Sequence, residues 1–222
     1  MVQTRWSASV ELIAGRVCLM VILTTLAACS VLKPPAVAEV KTYVLEPAVA
    51  PAAPTPTSQP TSAVVIVAEP RSQSGYATAR MAYVKRDYAL DYFASSQWAD
   101  TPARMLQPLL VNALEATAHY TAVLRAPAAV ASGLRLDTEV VHMEQVFVAQ
   151  PSRMHIALRV QMIDPQRGQV LGTRVFDVSA PAPTEDAYGG VRAANQMLTP
   201  LLKDIAAFCV SLSSPIDAPA RP

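Results

Sequence analysis

Apolar and polar side chains alternate strictly from Met154 to Met162, with Met154, Ile156, Leu158, Val160 and Met162 separated by His155, Ala157, Arg159 and Gln161. A period of two predicts a strand with one face in a core and the other wet. The preceding stretch is less regular: Leu134, Leu136 and Val140 keep one phase, whereas Val141, Met143 and Phe147 keep the opposite one. That slip predicts a β-bulge at Val140-Val141, because one extra residue reverses every later side chain. Gln150-Pro151 separates these two long strands. Asp164-Pro165-Gln166-Arg167-Gly168 has the chemistry of a turn into a third, over Gln169 to Ser179. Shorter strands are predicted at Val40 to Glu46, Ala63 to Ala68, Arg80 to Lys85, Tyr88 to Phe93 and Thr121 to Arg125.

Two segments change to helical spacing. Thr101-Pro102 offers a capping hydroxyl followed by proline at the first helical position, and Met105, Leu106, Leu109, Leu110, Ala113 and Leu114 then mark one buried face. From about Thr184 to Leu212, a stripe of Val191, Ala194, Leu198, Leu201, Leu202, Ile205, Phe208 and Leu212 predicts a long amphipathic helix. Gly189-Gly190 should weaken its start and Pro200 should kink it, so its N-terminal part is expected as a separate short helix or a loop. Strands, a helix, a meander and a final helix make an α+β domain of two layers, a mostly antiparallel sheet with helices on one face.

The N-terminus follows another logic. Arg5 and Arg16 precede an uncharged run, Val17 to Ala28, too short to span a bilayer as a helix, which takes ~20 apolar residues. It ends in Leu26-Ala27-Ala28-Cys29, the form of a bacterial lipoprotein processing site. Residues 1–28 are therefore expected to be removed as a signal peptide and Cys29 to carry a covalent lipid; no other cofactor is expected. Residues 29–39, with Pro34 and Pro35, read as a tether reaching at most ~35 Å. Ser30 stands where aspartate commonly retains such proteins in the inner membrane, so the periplasmic face of the outer membrane is the expected location. The single domain spans 40–213. It carries a Pro-rich insert at 47–62 and is followed by a tail, 214–222, expected to be disordered.

Loss of residues 1–28 removes two arginines and one glutamate and leaves the acidic and basic totals equal. A neutral chain without a basic stripe excludes nucleic acid as the partner. Cys18 leaves with the signal and Cys29 is acylated, so Cys209 remains alone, in an apolar helical pattern that predicts a buried small hydrophobe. The seven glycines form neither a P-loop nor a dinucleotide fingerprint. His119, His142 and His155 are far apart in sequence, without HxxxH or CxxC spacing, so no metal site is expected. With the turn at Gln150-Pro151, His142 would fall near Arg159 and Glu144 near His155, a charge ladder on the wet face. Ser30-Val31-Leu32-Lys33 fits an SxxK pattern but lies in the tether. No catalytic set emerges, and the chain is expected not to be an enzyme.

Tyr76, Tyr83, Tyr88, Tyr92, Phe93 and Trp98 hold half of the aromatic content left after Trp6 is removed. Such a cluster either fills a β-rich core or presents rigid contact area to a partner. The second reading nominates Tyr76, Tyr88, Tyr92 and Trp98 as a partner interface, with some of the three tyrosines exposed together.

Taken in order, several segments together resemble one family. They are Thr42-Tyr43-Val44-Leu45 soon after the lipidated cysteine, Gly75-Tyr76 leading into Arg80-Met81-Ala82-Tyr83, Leu90-Asp91-Tyr92-Phe93, Trp98-Ala99-Asp100-Thr101-Pro102, and Leu109 to Leu114. In that order they resemble the auxiliary lipoproteins of ABC-type transport systems, which accompany MCE-type lipid transporters of Gram-negative envelopes. The resemblance implies a non-catalytic, lipid-anchored component that docks on a membrane-spanning MCE protein and helps lipid pass between membranes. The Pro-rich insert departs from the family pattern. A structural or assembly lipoprotein of another envelope complex, serving cell-wall synthesis or secretion, would share anchor, tether and domain, and homo-oligomerisation stays open.

Overall fold

In the computed structural model, residues 39–47, 63–129 and 133–213 are described. The signal peptide, Cys29, nearly all of the tether and the Pro-rich insert, and the tail lie outside the described residues. The elements run β1 (Lys41–Tyr43), β2 (Val64–Val67), β3 (Arg71–Ser72), β4 (Arg80–Arg86), β5 (Ala89–Trp98), α1 (Pro102–Glu115), β6 (Ala122–Arg125), β7 (Leu134–Val146), β8 (Arg153–Asp164), β9 (Gln169–Pro181) and α2 (Ala187–Ser213).

The nine strands form one curled sheet built around β7. One edge of β7 takes β8 antiparallel, and β8 takes β9 antiparallel, so the three longest strands make a meander. The other edge is shared by three short strands, all parallel to β7: β2 against Leu134 to Leu136, β3 against Glu139 and Val140, and β4 against Glu144 to Val146. The sheet continues from β2 to β6 at one end and from β4 through the antiparallel β5 to β1 at the other. Most paired residues are antiparallel, as expected; the parallel pairs come from the short strands.

The bulge falls where the phase slip put it. Val140 opposes Leu158 and His142 opposes Ala157, leaving Val141 without a cross-strand partner. The extra residue lets Leu134, Leu136, Val140 and Met143 all reach the core despite their broken alternation. On β8 the alternation is as expected except at Ala157, which is buried.

Both helices pack on one face of the sheet. Thr101 caps α1, its Oγ1 accepting from the Arg104 N–H, and Pro102 opens the first turn. Leu106, Leu110 and Leu114 are fully buried, and Gln107 donates from Nε2 to the Val67 carbonyl, tying α1 to β2. The last helix corrects one expectation: α2 is one element from Ala187 to Ser213 with Pro200 inside it. Losing one backbone bond at Pro200 is offset by the stripe around it, where Leu198, Leu201, Leu202 and Ile205 are all buried. Gly189 and Gly190 are required by close approach. A Cβ at Gly189 would lie 2.0 Å from the Thr184 carbonyl oxygen, and one at Gly190 2.6 Å from Gln145 Oε1. Cys209 is buried in the core cluster, and burial pushes its thiol up to about 12.

Candidate functional site

The four aromatic residues nominated as an interface do not share a surface. Trp98, 2% exposed, is part of the core, and Tyr76 is 8% exposed. Both are thereby corrected from surface to interior positions: Trp98 ends the strand that leads beneath α1, and the Tyr76 ring packs edge-on to His142. Tyr92 is half-buried, donates its hydroxyl to the Gly75 carbonyl at 2.9 Å, and carries the Arg80 guanidinium over its ring at 4.1 Å. Tyr88 alone of the four stands free, fully exposed in the turn between β4 and β5. Its φ of 63° is a left-handed conformation that costs a bulky side chain free energy.

Below that turn lies a half-buried aromatic trio. Tyr83 packs on Phe93 at 4.9 Å between ring centres and on Phe147 at 6.0 Å, and Phe93 meets Phe147 at 6.3 Å. Lys85 extends over the Tyr83 ring, and Val148 beside Phe147 is exposed. Phe147 is not among the residues expected here, because it follows the far end of β7 and only the β4–β7 pairing, continued by its N–H donating to the Val84 carbonyl, brings it in.

A groove of about 520 Å³ runs between the β1 segment and α2, lined among others by Tyr43, Val44, Tyr188 and Arg192. Asn195 holds its two walls together: its Oδ1 accepts from the Glu46 N–H at 2.6 Å and its Nδ2 donates to the Val44 carbonyl at 3.3 Å.

On the sheet face away from the helices, residues distant in sequence converge. Glu144 opposes His155, as expected, and His155 Nδ1 lies 3.0 Å from Glu144 Oε1. His142 was expected beside Arg159. The bulge instead stacks its ring on His155, 4.8 Å between centres, with Nδ1 3.2 Å from the same Glu144 oxygen. His155 Nε2 is 3.0 Å from Asp177 Oδ1 on β9, and the Tyr76 hydroxyl is 3.2 Å from His142 Nδ1. Sequence spacing concealed this group, since its two histidines meet only across the β7–β8 hairpin.

Glu144 is 4% exposed, and its burial works against ionisation. Polar contacts with His155 and Tyr76 and the charge of both histidines outweigh that and hold its carboxyl below the usual range. The Glu144 hydrogen bond, against some burial and with help from Asp177, holds His155 above its ordinary value. Burial first, and then the Glu144 carboxylate, hold the Tyr76 phenol well above its usual range.

These elements define a mixed α+β domain with an exposed aromatic turn at one end and a polar cluster on its open face. The chain belongs to the ABC-type transport auxiliary lipoprotein component family, whose model matches residues 43–206. Among solved structures it is similar to protein XCC0632 from Xanthomonas campestris, at 20% identity and a TM-score of 0.70, covering 79% of this chain and 98% of that one. An uncharacterized protein of solved structure is similar at 13% identity and a TM-score of 0.61, covering 77% of this chain and 98% of the other. Both likenesses are of fold. No curated protein matches the chain.

Proposed function

We propose that this chain works by contact and performs no chemistry of its own. It is a lipid-anchored adaptor that docks on a membrane-spanning MCE-type partner of an ABC transporter and assists the passage of lipid between membranes. Family membership over residues 43–206 carries the reading, since it supplies the transport context. Cys29 after Leu26-Ala27-Ala28 supplies the anchor, and a protein with two or more acyl chains stays on its membrane. Ser30 favours the outer membrane.

The docking surface is the β4–β5 turn. Tyr88 offers its whole side chain there from a backbone conformation that a smaller residue would adopt more easily, and such local strain is characteristic of positions kept for contact. The half-buried trio of Tyr83, Phe93 and Phe147 extends the aromatic area. A photocrosslinking amino acid at position 88, used in intact cells, tests this. Capture of an MCE-type protein is expected; crosslinks found only to other lipoproteins or to cell-wall components would overturn the docking role.

A further inference from the structure

We propose that His142, Glu144 and His155 form a binding site for one divalent transition-metal ion of the Zn2+ class, with Asp177 as its outer carboxylate. The inference is independent of the transport reading.

The donor set is the first ground. Two imidazole nitrogens and one carboxylate suit zinc and its first-row neighbours, whereas Ca2+ and Mg2+ prefer oxygen alone. Ligand atoms from all three residues lie within 4.8 Å of one another. His142 Nδ1 and His155 Nδ1 stand 3.2 and 3.0 Å from Glu144 Oε1. A tetrahedral ion with bonds of about 2.0–2.1 Å has edges of roughly 3.3 Å between its ligands. The two edges that meet at Glu144 Oε1 thus already have about that length, and closing the third, between the two histidines, takes no more than a side-chain adjustment from at most 4.8 Å.

The second ground is what hydrogen bonding alone leaves undone. Both histidines aim at one carboxylate oxygen, while Glu144 Oε2, buried, has no hydrogen-bond partner among the described residues. A proton network would gain by spreading over both oxygens, because an unmatched buried acceptor is costly. An ion at the convergence point takes a lone pair from each of the three side chains, and its positive charge offsets that of the buried carboxylate.

The third ground is the outer contact. Metal-bound histidines commonly give their other ring nitrogen to a carboxylate, which fixes the tautomer and the ring plane. His155 Nε2 has that partner in Asp177 Oδ1 at 3.0 Å. Access is open at His142, whose side chain is 43% exposed. The Tyr76 hydroxyl stands 3.2 Å from His142 Nδ1, at the side of the group. An ion here joins β7 to β8 directly and β9 through Asp177.

The test uses the full chain purified without a polyhistidine tag, stripped with EDTA and then dialysed against Zn2+ or Co2+ alone. One Zn2+ per chain is expected by elemental analysis, with a rise in Tm of roughly 5–10 °C at a hundredfold excess over Kd. Co2+ should give visible bands of four-coordinate intensity. His142→Ala and His155→Ala should each abolish retention. His142→Ala is the decisive variant because its exposure makes folding robust, checked by circular dichroism. Asp177→Asn should keep the stoichiometry while weakening affinity about 10- to 100-fold. Less than about a tenth of an ion per wild-type chain with an unchanged Tm overturns the site, as does full Zn2+ retention by folded His142→Ala.

Discussion

Glu144 on β7 faces His155 on β8 in direct register, Oε1 to Nδ1 at 3.0 Å, because Val141 stands without a partner between Val140 and His142. In a regular ladder with this sequence Glu144 would oppose Met154 and turn into the core. Removing Val141 would therefore leave every later side chain on its proper face. Deleting it should cost about 1–2 kcal/mol, through lost twist. Deleting Thr138, which pairs with Val160, should cost more than about 4 kcal/mol by reversing Leu134 to Asp137 and taking Leu134 and Leu136 out of the core. Urea midpoints measure both, and equal damage would refute the account of the bulge.

Gly189→Ala and Gly190→Ala both improve helix propensity by about 1 kcal/mol, and packing decides their sign. A methyl group at 189 meets the Thr184 carbonyl, which is backbone, so net destabilisation of about 2 kcal/mol or more is expected. At 190 it meets the Gln145 side-chain amide, which can shift, and the loss should be smaller. Thermal denaturation of the two variants should rank them in that order.

Asp186 caps α2, its Oδ1 accepting from the Gly189 N–H at 2.8 Å and from the Thr184 hydroxyl at 2.6 Å. These bonds hold its carboxyl below the ordinary 3.8, the Thr184 hydroxyl contributing most. Asp186→Ala should cost about 1 kcal/mol at neutral pH. Because the folded pKa is the lower one, the difference between wild type and variant should persist above about pH 4 and shrink as the pH falls through the folded value. A difference that grows on acidification would contradict this.

Tyr88→Gly separates contact from stability. Glycine relieves the positive φ, and the exposed ring loses no packing, so a gain of about 1 kcal/mol is expected. The same variant should lose transport-linked function in cells, such as detergent resistance of the envelope. A more stable protein with full function would remove Tyr88 from the docking surface.

What could be read from the sequence was local. Thr101-Pro102 announced α1, and the turn at Asp164 to Gly168 is tied by Asp164 Oδ1 accepting from the Gln166 and Arg167 N–H groups. The phase reversal at Val140-Val141 announced the bulge. What escaped depends on distant pairing: nothing in Lys41 to Tyr43 says that this strand lies parallel to Ser96, Gln97 and Trp98. The continuity of α2 through Pro200 rests on burial against the sheet, which periodicity cannot weigh. The same holds for the polar cluster, whose members gain meaning only when Tyr76, β7, β8 and β9 are assembled.

The head-to-tail placement of β2, β3 and β4 along one edge of β7 also makes that one strand the condition for pairing all three. These strands precede in the chain the segment that completes them, and until β7 is in place their edges are unmatched and open to aggregation. The hairpins of β7, β8 and β9 close over short distances and are expected to form early, as the template on which β2 and β3 then anneal. Substitutions that slow that nucleus will accordingly show as poor yield long before they show as poor activity.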